Sequence, residues 1–258
     1  MTRVQPRWPS WRRLLGLLAI LVLVLGLAAC DDDDDDGPEA QLRAVHASPD
    51  APPVNLTIDG RDIAGPLAFA NATDYVGVDA GTAIPTSLTV DADGGTETVL
   101  DTTIAIASGS RNTLIALDEA ANLDALLVTD DFPTPAEGNL SVRVIHAAAD
   151  VGAVDVFVTA ADVPLSEAGS PALAEVPFKA VGPFLELAEG EYRLRVTGAG
   201  GQSLLYDSGA VPLSAGAQIN LVAINSTSSG SVELLALFGD GTSGLLADSA
   251  PQAELRAL

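Results

Sequence analysis

Residues 43–60 read RAVHASPDAPPVNLTIDG, and residues 143–160 read RVIHAAADVGAVDVFVTA. Set one hundred positions apart, they share Arg43/Arg143, His46/His146, Ala47/Ala147, Asp50/Asp150 and Val54/Val154, and several differences are mild, such as Val45/Ile145 and Ile58/Val158. A repeat of this period is a duplicated domain and not a solenoid unit, because each copy is long enough to bury a core of its own. Two tandem domains with separate cores are therefore expected.

Within each copy the pattern is that of short strands. Val54–Ile58 and Val154–Val158 alternate at period two, as a half-buried strand requires. Glu191–Val196 does so most clearly, with arginines on one face and apolar residues on the other. Asp59-Gly60 and the glycine-rich stretches after Val90 and Val196 mark turns. Only 118–127 (DEAANLDALL) suggests a helical turn. Seven or eight short strands per copy imply an all-β chain of two tandem antiparallel β-sandwich domains, immunoglobulin-like in class, with a small barrel as the alternative. The expected limits are 41–130 for copy one, 131–139 for a proline-containing linker, 140–240 for copy two and 241–258 for a C-terminal tail.

The N-terminus reads as a targeting segment. Arg3, Arg7, Arg12 and Arg13 precede the apolar run Leu14–Leu27, which is too short for a comfortable membrane span and ends in Leu27-Ala28-Ala29-Cys30. Residues 1–29 are expected to be a lipoprotein signal peptide, with Cys30, the only cysteine, as the lipidated first residue of the mature chain. Several acyl chains there would give stable anchoring. Residues 30–40, with the acidic run Asp31–Asp36, read as a hydrated tether. The expected location is the bacterial cell envelope, outside the cytoplasm, with the choice of membrane left open.

Removal of the signal leaves eight basic against 35 acidic residues, a formal charge of −27. Such a surface repels polyanions, so no nucleic-acid partner is expected.

The stretch Val45-His46-Ala47-Ser48-Pro49-Asp50-Ala51-Pro52, followed by Val54 and a strand ending in Asp59-Gly60, resembles the opening of the bacterial domain-of-unknown-function family numbered 4397. Copy two keeps His146, Ala147 and Asp150 but lacks the Ser-Pro pair. The resemblance implies exported, often lipid-anchored, β-rich domains, frequently in tandem. It implies no activity.

His46 and His146 are the only histidines, each four residues before an aspartate, Asp50 and Asp150. Such pairs could form a loop site for metal or proton relay. Two ligands per copy are too few for a closed metal site, however, and strand parity turns each imidazole towards the core edge. The favoured reading is a polar plug at a strand end, bonded to its own loop, with the His/Asp pair holding each sandwich together there. The run Asp91–Glu97 lacks the ligand spacing of a calcium loop. Nucleophile-elbow, phosphate-loop and zinc-helix motifs are all lacking. The function expected is non-catalytic, with no cofactor and no metal: a lipid-anchored protein that binds, adheres or spaces through contact with an envelope protein or glycan. The alternatives are a glycan- or metal-dependent binding module and, behind that, a hydrolase.

Overall fold

The structure is a computed structural model, and it describes residues 39–92, 95–201, 203–226 and 230–249. Copy one supplies β1 (Glu39–His46), β2 (Val54–Ile58), β3 (Arg61–Leu67), β4 (Val76–Asp79), β5 (Gly81–Ala92), β6 (Gly95–Ile106), β7 (Arg111–Leu117) and β8 (Asp124–Thr129). Copy two supplies β9 (Asn139–His146), β10 (Val154–Ala160), β11 (Leu173–Val176), β12 (Leu185–Ala188), β13 (Gly190–Gly198), β14 (Leu204–Leu213), β15 (Gln218–Asn225), β16 (Val232–Phe238) and β17 (Ser243–Leu246). Among the described residues there is no α-helix, only short 3₁₀ turns at Ala120–Asn122 and Leu165–Glu167. The first of these lies in the stretch read as a helical turn. No described helix is long and apolar enough to cross a membrane.

Each copy is a two-sheet sandwich. The first pairs an inner sheet ordered β4-β1-β7-β8 with an outer sheet ordered β3-β2-β5-β6. The second pairs β12-β9-β15-β16-β17 with β11-β10-β13-β14. The fold is thus the all-β tandem sandwich expected, but its inner sheets are not purely antiparallel. β1 runs parallel to β7, and β9 parallel to β15. In each copy the chain leaves the inner sheet, builds the outer one and returns in the original direction, the long crossover that a parallel pair needs.

Two strands carried no periodic signal. β3 reads RDIAGPL, whose glycine and proline are tolerated because it is an edge strand; β11 is another short edge strand. β17 lies inside the stretch read as a tail.

Three cores form instead of two. Leu42, Ala44, Leu56, Leu88 and Leu114 lie between the sheets of the first sandwich, and Val142, Val144, Leu194, Val196 and Leu221 between those of the second. A third joins the copies: Val45, Ala47, Ile115, Leu117 and Val128 pack on Ile145, Ala147, Val222, Ile224, Leu235 and Leu237. The inner sheets therefore stack face to face, with odd and even residues of β1, β7, β9 and β15 serving different cores. Separate cores do not describe the chain.

A buried polar hub sits beside this third core. Arg43 donates from Nε to Thr113 Oγ1 (2.7 Å), and Arg143 from Nε to Asn220 Oδ1 (2.7 Å), each to its direct partner on the parallel strand. Arg43 then reaches across to Phe238 O (3.0 Å), while Arg143 reaches back to Thr129 O (2.8 Å). Thr129 and Phe238 hold matching places in the ladders beside β7 and β15, so the copies exchange the same contact about an approximate two-fold axis. Tyr75 lies 4.6 Å beneath the Arg43 guanidinium, and Phe184 4.4 Å beneath that of Arg143. One carboxylate serves both halves. Asp130 accepts from Tyr75 (2.6 Å), Thr113 (2.6 Å) and Asn220 (2.6 Å), and pairs with Arg143 (3.2 Å) and Arg43 (3.5 Å). Its counterpart in copy two is Gly239, which makes the same backbone bond, from its N–H to the residue before the strand partner.

The segment 131–139 expected as a proline-containing linker is bound to this assembly. Asp131 pairs with Arg143, Phe132 packs on Phe184 at 5.5 Å, and Pro133 O accepts from Gln218.

Candidate functional site

Cys30 lies outside the described residues. The two His/Asp motifs close the ends of β1 and β9, and both imidazoles are fully buried. His46 Nδ1 accepts from Ser48 N–H (3.3 Å), which leaves Nε2 as the protonated nitrogen, donating to Pro52 O (3.1 Å). Copy two repeats this with Ala148 N–H (3.3 Å) and Gly152 O (2.9 Å). The loops thus fix a neutral tautomer, and burial lowers both pKa values below the ordinary histidine value. With one nitrogen donating and the other accepting, neither has a lone pair free for a metal or a migrating proton.

The structure does not bring the aspartates to the histidines. Asp50 accepts from Ala120 N–H (2.8 Å) and lies 3.5 Å from Ser48 Oγ. Asp150 is tied through its own N–H to Asn225 Oδ1 (3.3 Å). The plug therefore forms without the aspartate, because the intervening loop turns its backbone onto the ring. An aromatic completes each plug: Phe69 stands edge-on to His46 at 6.2 Å, and Phe178 to His146 at 6.1 Å. These phenylalanines precede Ala70 and Lys179, which share positive φ values of 61° and 67° and donate to the histidine carbonyls. Sequence alignment of the copies hid this match, since different lengths of chain separate histidine from phenylalanine.

An open surface lies elsewhere, on the outward face of β2, β3, β5 and β6. Strand alternation puts Val54, Leu56, Ile58, Leu88 and Val90 inside and polar side chains outside. Register aligns Asn55, Thr89 and Thr98 in one row and Asp62, Thr57, Ser87 and Asp101 in the next. Neighbouring strands lie about 4.8 Å apart, so hydroxyl, amide and carboxylate groups repeat at that spacing. A shallow depression of about 360 Å³ lies among Asn55, Asp62, Gly65, Thr89 and Thr96. Gly65 (φ 146°) shapes it, since a Cβ there would fall 2.8 Å from Asn55 Cα.

The corresponding face of the second sandwich is closed. Phe157, Arg195 and Thr197 point outward from β10 and β13 yet are buried, and Arg195 donates to Val163 O in the segment 161–172 that lies over them. Sequence reasoning noted neither the open face nor its closure. Threonine and serine alternation on β2, β5 and β6 was the available signal.

Among the described residues, no group of three or more His, Cys, Asp or Glu is placed to hold a metal ion.

The fold thus defines a protein of paired β-sandwiches with one open polar sheet face. Residues 40–157 match the domain of unknown function DUF4397, a span that runs from β1 through most of β10; a second copy is not detected. No curated protein matches the chain. Among solved structures, one described as "Alpha-glucan binding by a streptococcal virulence factor" is similar at 11% identity, with 71% of this chain and 93% of that chain covered and a TM-score of 0.24. At that score the likeness carries no argument.

Proposed function

We propose that the chain is a non-catalytic, lipid-anchored protein of the bacterial cell envelope that binds an envelope glycan or protein through the open face of β2, β3, β5 and β6. The observation that carries the reading is the contrast between the two outer sheets. One is a flat array of unsheathed polar side chains, while the other is covered by its own loop. Flat polar faces suit extended ligands contacted by many hydrogen bonds. The face carries no aromatic platform, so hydrogen bonding and not stacking would set specificity.

Both imidazoles bond their own loops, and the Arg43–Asp130–Arg143 hub is buried. These facts favour a binding scaffold over the metal-dependent module and the hydrolase. Anchoring rests on the Leu27–Cys30 motif, followed by the acidic stretch 30–40 read as a tether.

The test is binding of the purified full chain to immobilised envelope polysaccharides and to envelope proteins, each compared with Asn55→Ala/Thr89→Ala. Retention that the double variant loses supports the reading. Retention indifferent to these residues moves the binding surface elsewhere. Cys30→Ser should abolish incorporation of labelled palmitate, and persistent labelling would remove the anchor.

A further inference from the structure

The second sandwich holds a cavity of about 320 Å³ that opens between β14 and β17. Buried Leu194, Leu221 and Ala236 form its deep wall, and half-exposed Val211 and Leu213 with exposed Ser214 form its mouth. The void follows from small residues in one row of the inner sheet. Leu221 on β15 stands opposite Ala236 on β16, and Ala236 stands opposite Gly244 on β17. Two neighbouring positions that face the same way thus carry only a methyl group and a hydrogen. The place of Ala236 is held in the first sandwich by Leu127, which packs into that core, where a hollow of only about 10 Å³ is found. The larger void is particular to copy two.

The opening is framed by a fixed contact. Tyr206 Oη donates to Leu246 O (3.2 Å) and Ala247 O (3.4 Å), which ties the end of β17 to the start of β14. Every side chain lining the cavity is uncharged, and Ser214 alone is polar. Such walls favour an alkyl chain, because each methylene gains free energy on leaving water. A methylene takes up about as much room as a water molecule, roughly 30 Å³, so the cavity holds about ten of them. The mouth selects the head group. A hydroxyl there can bond to Ser214, whereas an anion would meet no cation in the lining and a chain of formal charge −23 around it.

We infer that the second sandwich binds the alkyl chain of a free neutral amphiphile, such as a long-chain alcohol, with its hydroxyl at Ser214. This site lies in the other sandwich from the open face of β2, β3, β5 and β6, and stands whatever that face binds.

Displacement of the neutral dye N-phenyl-1-naphthylamine from the full chain by n-alkanols tests this. Affinity should climb about fourfold per methylene from hexanol to decanol, the worth of one buried methylene, and level off beyond. Gly244→Leu and Ala236→Leu fill the cavity from two strands and should each weaken decanol roughly tenfold or more, as two or three methylenes are displaced. A Cβ at Gly244 meets nothing within 4 Å, and the first sandwich packs a leucine at the place of Ala236, so both variants should fold with a Tm no lower than wild type. The chain-length series on wild type stands without either. Failure of the dye to bind overturns the inference, and so does decanol affinity that both variants leave unchanged. Affinity that keeps rising past tetradecanol overturns it too, since that marks an exposed apolar surface and not a bounded cavity. Decanoate bound as tightly as decanol would overturn the neutral head group. Capture on phosphatidylcholine vesicles that the variants abolish would replace the free amphiphile with a bilayer lipid.

Discussion

An imidazole that accepts a backbone N–H at one nitrogen and donates to a carbonyl from the other is a brace, and its charge state follows from those bonds. Protonation of His46 or His146 would turn Nδ1 from acceptor to donor facing the N–H of Ser48 or Ala148. Both folded pKa values lie below the unfolded value near 6.5, so the folded state binds fewer protons there than the unfolded chain. The stability that the two histidines contribute is present above about pH 6.5 and is lost as the pH falls from there towards their depressed folded pKa values. His46→Ala or His146→Ala should each cost about 1–3 kcal/mol at pH 7.5, by leaving backbone partners unsatisfied. Asp50→Asn should cost less, because the carboxylate serves only the Ala120 N–H and Ser48. Urea titrations between pH 7.5 and 5.5 check the sign: the double histidine variant should show a flatter dependence than wild type, and an unchanged slope would remove histidine as its source. Parity in β1 and β9 was enough to place both rings in the core. That each ring bonds its own loop was legible too; the aspartate's part was not, because the loop turns its backbone atoms and not that side chain onto the imidazole.

Strands that are apolar on one face need one partner sheet, and strands apolar on both faces need two. The runs Thr113–Leu117, Ile219–Ile224 and Val232–Phe238 carry consecutive apolar residues instead of alternating ones, the pattern of a sheet covered on both sides. They disclosed the four-layer stack in principle. The two-domain reading used them only as strands, because a duplication suggests self-sufficient copies. Arginine at 43 and 143 gave a second signal, since each interrupts an apolar strand and so requires a buried anion; Asp130 was counted as the end of copy one. Alternation in β13 correctly put Arg193 and Arg195 opposite the core, but not under a cover, which depends on the irregular segment 161–172. Arg195 holds that segment through Val163 O, while its bond to Thr159 Oγ1 ties it to β10. Arg195→Ala should free it, and thermolysin should then cut within 161–172 about tenfold faster than in wild type, as expected when local opening costs about 1.4 kcal/mol less. If β10 or β13 is cut first instead, the arginine supports the sheet and not its cover.

At the scale of the whole molecule, two consequences follow from how the charges are spent. The joint hub makes the sandwiches one cooperative body, so wild type should unfold in a single calorimetric transition. Asp130→Ala, which strands two buried guanidinium groups, should lower its stability by about 3–5 kcal/mol. Two separate wild-type transitions would dissolve the coupling. The second consequence concerns salt. Arg43, Arg143 and Arg195 are buried, Arg193 is held by Asp207, Lys179 by Asp118 and Asp124, and Arg111 lies 4.0 Å over Tyr75. Of the described cations, Arg61 alone is exposed, whereas many of the described acidic residues, such as Asp79, Asp101, Asp124 and Glu191, are exposed. The surface is thus almost purely anionic and repels itself in the compact state. Salt shortens the reach of that repulsion from about 10 Å at 0.1 M to about 3 Å at 1 M, while buried pairs are screened much less. Stability should therefore rise with sodium chloride, against the usual loss expected where surface ion pairs dominate. A gain of roughly 2 kcal/mol between low and molar salt corresponds to about 4–8 °C in Tm for a body of this size. Sodium chloride is the right probe because sulfate strengthens apolar burial by itself. A Tm that stays level or falls across the series would show that the acidic surface is balanced by contacts the fold does not display.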